Sequence, residues 1–157
     1  MNHYTELLAH IKQLAESDPL VESVTQGLFT ALDEEKSTIY PLVHVQVNGG
    51  SLTNGQVVEF DIQVGAFQQR KDYPVADDAI RDKFYDSSNE VDNMNETLGI
   101  LNRLWTAMFR DYNYVNIQAS ESPSLTPMYE TGTNVLDGWI LTFNVTLPNT
   151  TINLCNI

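Results

Sequence analysis

The stretch "YPLVHVQVNGGSLTNGQVVEFDIQVGAF", Tyr40 to Phe67, alternates apolar and polar residues twice, with a Gly- and Asn-rich break between the two runs. Successive side chains of a strand point to opposite faces, so this period of two commits the stretch to a pair of strands. Val43, Val45 and Val47 share one face, and Leu42, His44 and Gln46 the other. In the second run Val58, Phe60, Ile62, Val64 and Ala66 point one way, and Glu59, Asp61 and Gln63 the other. The pattern predicts an antiparallel pair with one wet face. The break contains two Asn-Gly steps, Asn48-Gly49 and Asn54-Gly55, which suit turns needing positive φ. Two such steps predict a longer, protruding tip rather than a minimal turn. The same period returns near the end in "WILTFNVTL". There Trp139, Leu141, Phe143, Val145 and Leu147 face in, while Ile140, Thr142, Asn144 and Thr146 face out.

Two segments carry helical periodicity. Tyr4, Leu7, Leu8, Ile11, Leu14 and Ala15 predict a helix over Asn2 to Glu16 with one apolar face. Pro19 follows its end, because the residue before proline is disfavoured in helix. A short extended piece over Val21 to Phe29 and a charged loop over Ala31 to Thr38 come next. A stronger helix is predicted after Glu90, with Val91, Met94, Leu98, Leu101, Trp105, Met108, Phe109 and Tyr112 on one stripe. Asp92 near its start and Arg110 near its end complement the helix dipole. Tyr114 to Ala119 and Ser124 to Glu130 are strand candidates, and Pro127 confines the second to an edge or a bulge. Trp105 and Trp139 are expected to meet in the core. Strands and helices do not alternate regularly, so the expected class is α+β. It would be a mainly antiparallel sheet with flanking N-terminal and late amphipathic helices, in a single domain over 1–157.

Two regions lack this order. Gln68 to Glu90 has dense charge and no sustained period, and is expected to form a mobile arm that orders only against a neighbour. Asn149 to Ile157 reads as a tail with no local reason to fold alone.

Composition narrows the function classes. Eight basic residues against 21 acidic ones give a net charge of −13. Binding nucleic acid through its phosphates needs clustered Lys and Arg, and anionic membranes make the same demand. One cysteine, Cys155, permits no internal disulfide. The opening residues do not read as a signal peptide, and no apolar run suggests a membrane span, so a cytoplasmic product is expected. His3 and His10 lie a heptad apart without enough further ligands for a metal, and His44 sits opposite a valine face. Asp77, Asp78, Asp82 and Asp86 lack the alternation and glycine of a calcium loop. They read as a solvated strip neutralised by Arg81 and Lys83. Glu59 and Asp61 could pair as acid and base, but alternate carboxylates on a wet strand face more commonly solubilise it. No nucleophile elbow, phosphate loop, dinucleotide fingerprint or zinc motif is present. The expectation is no catalytic residue, no metal and no cofactor.

The opening helix in "NHYTELLAHIKQLAESDPLVESVTQG", the paired runs of "YPLVHVQVNGGSLTNGQVVEFDIQVGAF", the late helix in "EVDNMNETLGILNRLWTAMF" and the closing "DGWILTFNVTLPNT" occur in that order. In this order and texture, from about Asn2 to Thr150, the chain resembles the tail-completion or tail-terminator proteins of tailed bacteriophages. No short motif is diagnostic, and the acidic arm and the Cys155 tail depart from the pattern. The resemblance implies a structural virion protein that forms a ring at the head–tail junction. It would act in six or twelve copies between portal or neck proteins and tail proteins, made in the host cytoplasm and carried in the virion. DNA would pass through such a ring without specific binding.

A ring subunit needs edges, tips and arms that reach its neighbours. The candidates for the subunit interface are Asn48, Gly49, Asn54 and Gly55 at the hairpin tip, with Arg70, Lys71, Arg81 and Lys83 in the arm. Glu59 and Asp61 are candidates for a solvent-facing acidic wall, which would repel rather than hold DNA. A second reading is an acidic DNA mimic that inhibits a host nucleic-acid enzyme, and a third is a small enzyme. A mimic should array its carboxylates along one strip, whereas these acids are scattered.

Overall fold

The computed structural model describes residues 3–29, 39–71, 88–110, 117–131 and 135–148. Among the described residues two helices, α1 (His3–Glu16) and α2 (Glu90–Arg110), accompany six strands. The strands are β1 (Ser23–Gln26), β2 (Leu42–Thr53), β3 (Val57–Gln69), β4 (Gln118–Ala119), β5 (Ser124–Thr131) and β6 (Leu136–Pro148). They form one sheet in the order β1-β2-β3-β6-β4, with β5 also pairing with β6. Every pairing is antiparallel except β1 with β2. This is the α+β class that the alternating and helical periods predict.

The strand alternation sorts the core. Val43, Val45, Ile62, Val64, Ala66, Leu141, Phe143, Val145 and Leu147 are buried on one face, against Leu7, Ile11 and Ala15 of α1 and Ile100, Leu101, Leu104 and Met108 of α2. Burying one such side chain contributes about 1.5–3 kcal/mol, so this layer dominates the stability. The opposite face is not uniformly wet. At the Leu42 end of β2, Leu42, Phe67 and Leu136 form a second buried cluster, with Phe29, Tyr40, Met128 and Ile140 packed on it. His44 lies on this covered face and is 3% exposed. Its Nε2 stands 3.0 Å from the Gly27 carbonyl, which can only accept, so Nε2 carries a proton. The Thr25 hydroxyl lies 2.7 Å from Nδ1, and the Phe29 ring meets the imidazole edge-on. His44 therefore ties the loop after β1 to β2. The expectation of one wet face holds only for the distal half of the hairpin.

The tip also differs from the expectation. Asn54 and Gly55 both have positive φ, at 51° and 66°, and Gln56 N–H donates to the Thr53 carbonyl at 2.9 Å. Two consecutive left-handed residues reverse the chain within a three-residue connection, Asn54 to Gln56, between Thr53 and its partner Val57. The connection is only one residue longer than a minimal turn, because the other Asn-Gly step lies inside β2, where the register shifts between Val47 and Gly49. An extra residue in one strand explains why an Asn-Gly pair can sit there without turning the chain.

The buried face of α2 is Asn93, Met94, Thr97, Ile100, Leu101, Leu104 and Met108. At about 100° per residue this face is rotated by roughly 70° from the stripe expected from hydrophobicity. The cause is α1, whose Leu14 and Ala15 share a core cluster with Ile100 and Leu104 and border a cleft with them. Thr97 satisfies its buried hydroxyl by donating to the Asn93 carbonyl at 2.7 Å, and Asn93 Nδ2 donates to the Gln69 carbonyl at 3.2 Å. The two tryptophans are half-buried and do not meet. Trp139 Nε1–H donates to the Met94 carbonyl at 2.9 Å, and Trp105 Nε1–H to the Ser120 carbonyl at 3.0 Å. Met94 and Trp105 are about 16 Å apart along α2, so the indoles pin opposite ends of the helix to the sheet.

At Gly138, a Cβ would collide with the Ala66 carbonyl of β3. Here β6 crosses β3 so closely that only glycine fits. Trp139→Ala should cost about 3–5 kcal/mol by opening a cavity beneath α2. Trp139→Phe should cost about 1 kcal/mol more than ring burial alone would suggest, because the indole hydrogen bond to the Met94 carbonyl is lost. Urea denaturation of the two variants checks this, and an unchanged midpoint for Trp139→Ala would reject the packing of α2 on β6.

Candidate assembly surface

Among the described residues, both sides of the sheet are incomplete. On one side β1 covers only Leu42 to Val45 of β2. Beyond it Gly27 N–H donates to the Val45 carbonyl at 2.9 Å, and Phe29 N–H donates to Gln46 Oε1 at 2.7 Å. Among the described residues, no strand pairs with the outer edge of β2 from Val47 to Thr53. On the other side β5 is the outermost strand along Leu136 to Thr142 of β6, and no described strand pairs with its outer edge. β5 is exposed over Ser124 to Pro127, with Leu125 at 43% and Tyr129 at 55%. Pro127 withholds one backbone donor from this edge, the position the sequence assigns to it.

The face turned away from the helices is polar in its distal half. Asp61 lies between Gly49 and Asn144, Glu59 between Ser51 and Thr146, and Gln63 between Gln46 and Thr142. Asp61 is exposed and Glu59 half-buried. These rows carry carboxylates, amides and hydroxyls but no Lys or Arg, an arrangement with little to offer a phosphate.

The tip residues Asn48, Gly49, Asn54 and Gly55 are all exposed. Asn48 Oδ1 accepts from Gln46 Nε2 at 2.5 Å, which steadies the bulge. Arg70 has a different role from the one expected of it. Its side chain is 12% exposed, and its Nε and Nη2 each donate to the fully buried Asp137 at 2.9 Å, with Nη2 also paired to Glu90. This guanidinium is spent within the chain's own fold, holding the end of β3 to the starts of α2 and β6. Lys71 is exposed, with its N–H donated to Asn89 Oδ1 at 2.6 Å, while Asn89 N–H donates to the Lys71 carbonyl at 3.1 Å. Gln68 and Gln69 belong to β3, and Glu90 opens α2. The ends of the expected arm are therefore clasped together. Arg81, Lys83 and the rest of 72–87 lie outside the described residues, as does the tail at 149–157.

Two features escaped the sequence reading. Leu52, beside the turn, is 74% exposed. An open apolar groove of about 430 Å³ runs between α2 and β5, lined chiefly by Leu98, Leu101, Trp105, Pro123, Leu125 and Leu141. Its signal was present in the predicted α2 stripe, because Leu98 and Trp105 lie on the flank that rotation leaves beside β5. Among the described residues no three His, Cys, Asp or Glu side chains converge as metal ligands, and no helix is long and apolar enough to cross a membrane. No model of a known protein family matches the chain, and a search of curated proteins finds no match.

The buried Arg70–Asp137 pair yields a stability test. Asp137→Ala leaves an enclosed guanidinium without its bidentate partner and should cost about 3–5 kcal/mol. Glu16→Ala removes an exposed i,i+4 pair with Lys12 and should cost about 0.5 kcal/mol or less. Denaturation midpoints measure both, and equal losses would reject the structural role of Arg70.

Proposed function

We propose that the protein is a structural subunit of a ring at the head–tail junction of a tailed bacteriophage, a tail-terminator or neck component present in six or twelve copies. The observation that supports this reading is the sheet left open on both sides among the described residues. A subunit with two open edges meets two neighbours, and cyclic symmetry lets such pairing close rather than run on into fibres. The net charge of −13 per copy supports a passage that DNA slides through without being held. Glu59 and Asp61, set among amides and hydroxyls, are suited to such a surface. In this role the chain performs no reaction and needs no cofactor. Its partners are copies of itself and the adjoining portal, neck and tail proteins, first in the host cytoplasm and then in the virion.

The DNA-mimic reading is less well supported. A mimic needs a continuous strip of carboxylates, and on the open sheet face Glu59 and Asp61 are diluted by Gln63, Asn144 and Thr146. Native mass spectrometry should find six- or twelve-fold assemblies, whereas a mimic would remain a monomer or dimer. Particle production without the protein should give tails of wrong length or filled heads that fail to join tails. Normal infectious particles would end the proposal.

A further inference from the structure

We infer that the hairpin tip of one copy docks on β5 of the next, as a second copy of this chain, with Leu52 seated in the groove between α2 and β5. The inference rests on the self-assembly part of the proposed function and specifies its contact.

Strand direction is the first support. β2 and β6 both run antiparallel to β3, and β5 runs antiparallel to β6, so β2 and β5 run in opposite directions. Placing the β2 edge of one copy beside the β5 edge of another therefore continues the antiparallel order without a break.

The offset of the two edges is the second. Through β3, Val47 to Thr53 of β2 stands level with Phe143 to Pro148 of β6, whereas Ser124 to Thr131 of β5 stands level with Leu136 to Thr142. Matching the edges shifts each copy by about six residues, roughly 20 Å, across a repeat of four strands about 19 Å wide. That slope is about 45°, at the upper end of the tilt at which sheets close into barrels. It also leaves room for β1, which occupies the other half of the same β2 edge.

The third support is the side chains. Leu52 stands opposite Val58, on the face of β3 that packs against the helices, and Leu125 stands opposite the core residue Leu141. In a continuous sheet the two leucines thus point to the same side, where Leu98 and Trp105 line the open groove. An exposed leucine on one edge and an apolar groove beside the other are complementary.

Charge is the fourth. The copies repel one another at −13 each, yet the chain from Val45 to Val58 and from Ser122 to Tyr129 contains no charged residue. These neutral edges are where two copies approach at least electrostatic cost.

The test uses the full chain with Cys155→Ser, Leu52→Cys and Leu125→Cys. Within one copy, positions 52 and 125 are on the order of 25 Å apart by strand spacing and rise, far beyond the roughly 7 Å a disulfide can span. Oxidation should therefore give a ladder of covalent multimers ending at the ring, while either cysteine alone should stop at dimers. Leu52→Asp should weaken assembly about tenfold or more, with an unchanged circular dichroism spectrum because Leu52 is outside the core. If the unmodified chain assembles in native mass spectrometry but the double-cysteine chain gives no ladder, this contact is wrong and the ring reading stands. The same conclusion follows if Leu52→Asp assembles normally. If the unmodified chain stays monomeric at every concentration, both fall.

Discussion

The ladder between β3 and β6 is the constraint on which the remaining structure depends. It runs without a register break from Val57 opposite Pro148 to Gln69 opposite Leu136. A strand slipped by one residue would turn its whole apolar set to the other face. Register here therefore decides whether Ile62, Val64, Leu141, Phe143 and Val145 meet the helices or solvent. Two features fix it besides hydrophobicity. Gly138 admits the Ala66 carbonyl where no side chain would fit, and Arg70 at the end of β3 closes on Asp137 near the start of β6. A steric gap and a charged clasp lie near the same end of the ladder, so a slip would bury side-chain atoms against backbone and leave Asp137 without its partner.

How much of this was legible depends on the range of the interaction. Period-two alternation reports which residues share a face, so β2, β3 and β6 could be read directly, as could the edge position of Pro127. Asn54-Gly55 identified the turn because the requirement for positive φ is local. Asn48-Gly49 carries the same local signal but sits in a bulge, a feature defined by the partner strand. The α2 stripe was read from hydrophobicity alone and came out rotated, because α1 claims the Ile100 and Leu104 side. Arg70 reads as a surface cation beside Lys71. Its partner Asp137 is 67 residues away, and nothing in the spacing joins them. The far-face cluster of Leu42, Phe67 and Leu136 was hidden for a related reason: its cover comes from Phe29, Tyr40, Met128 and Ile140, which belong to separate parts of the chain.

The same rotation of α2 connects the fold to the proposed assembly. A helix that buried its most apolar stripe would leave nothing unsatisfied on its β5 side. By turning toward α1, α2 leaves Leu98 and Trp105 beside a strand that is itself exposed, with Phe109 stacked on Trp105 at a centroid distance of 5.3 Å. Exposed apolar side chains singly placed need no explanation, but a groove next to an edge that no described strand pairs is a less common combination.

Charge distribution completes the argument. Strong like charge keeps copies apart at long range, with screening over about 8 Å at physiological salt. In the proposed assembly, association would then come from short-range contacts that involve no further approach of charge. A backbone ladder and a leucine in an apolar groove have that character, since their strength lies in hydrogen bonding and burial rather than in ion pairs. Glu59 and Asp61 stand on the opposite face of the sheet from Leu52, because residues 58 and 59 of one strand point to opposite sides. The hairpin can thus present an apolar contact to a neighbour on its helix side while keeping an acidic, cation-free surface on the other. Those two properties suit the proposed ring subunit, and strand alternation supplies both.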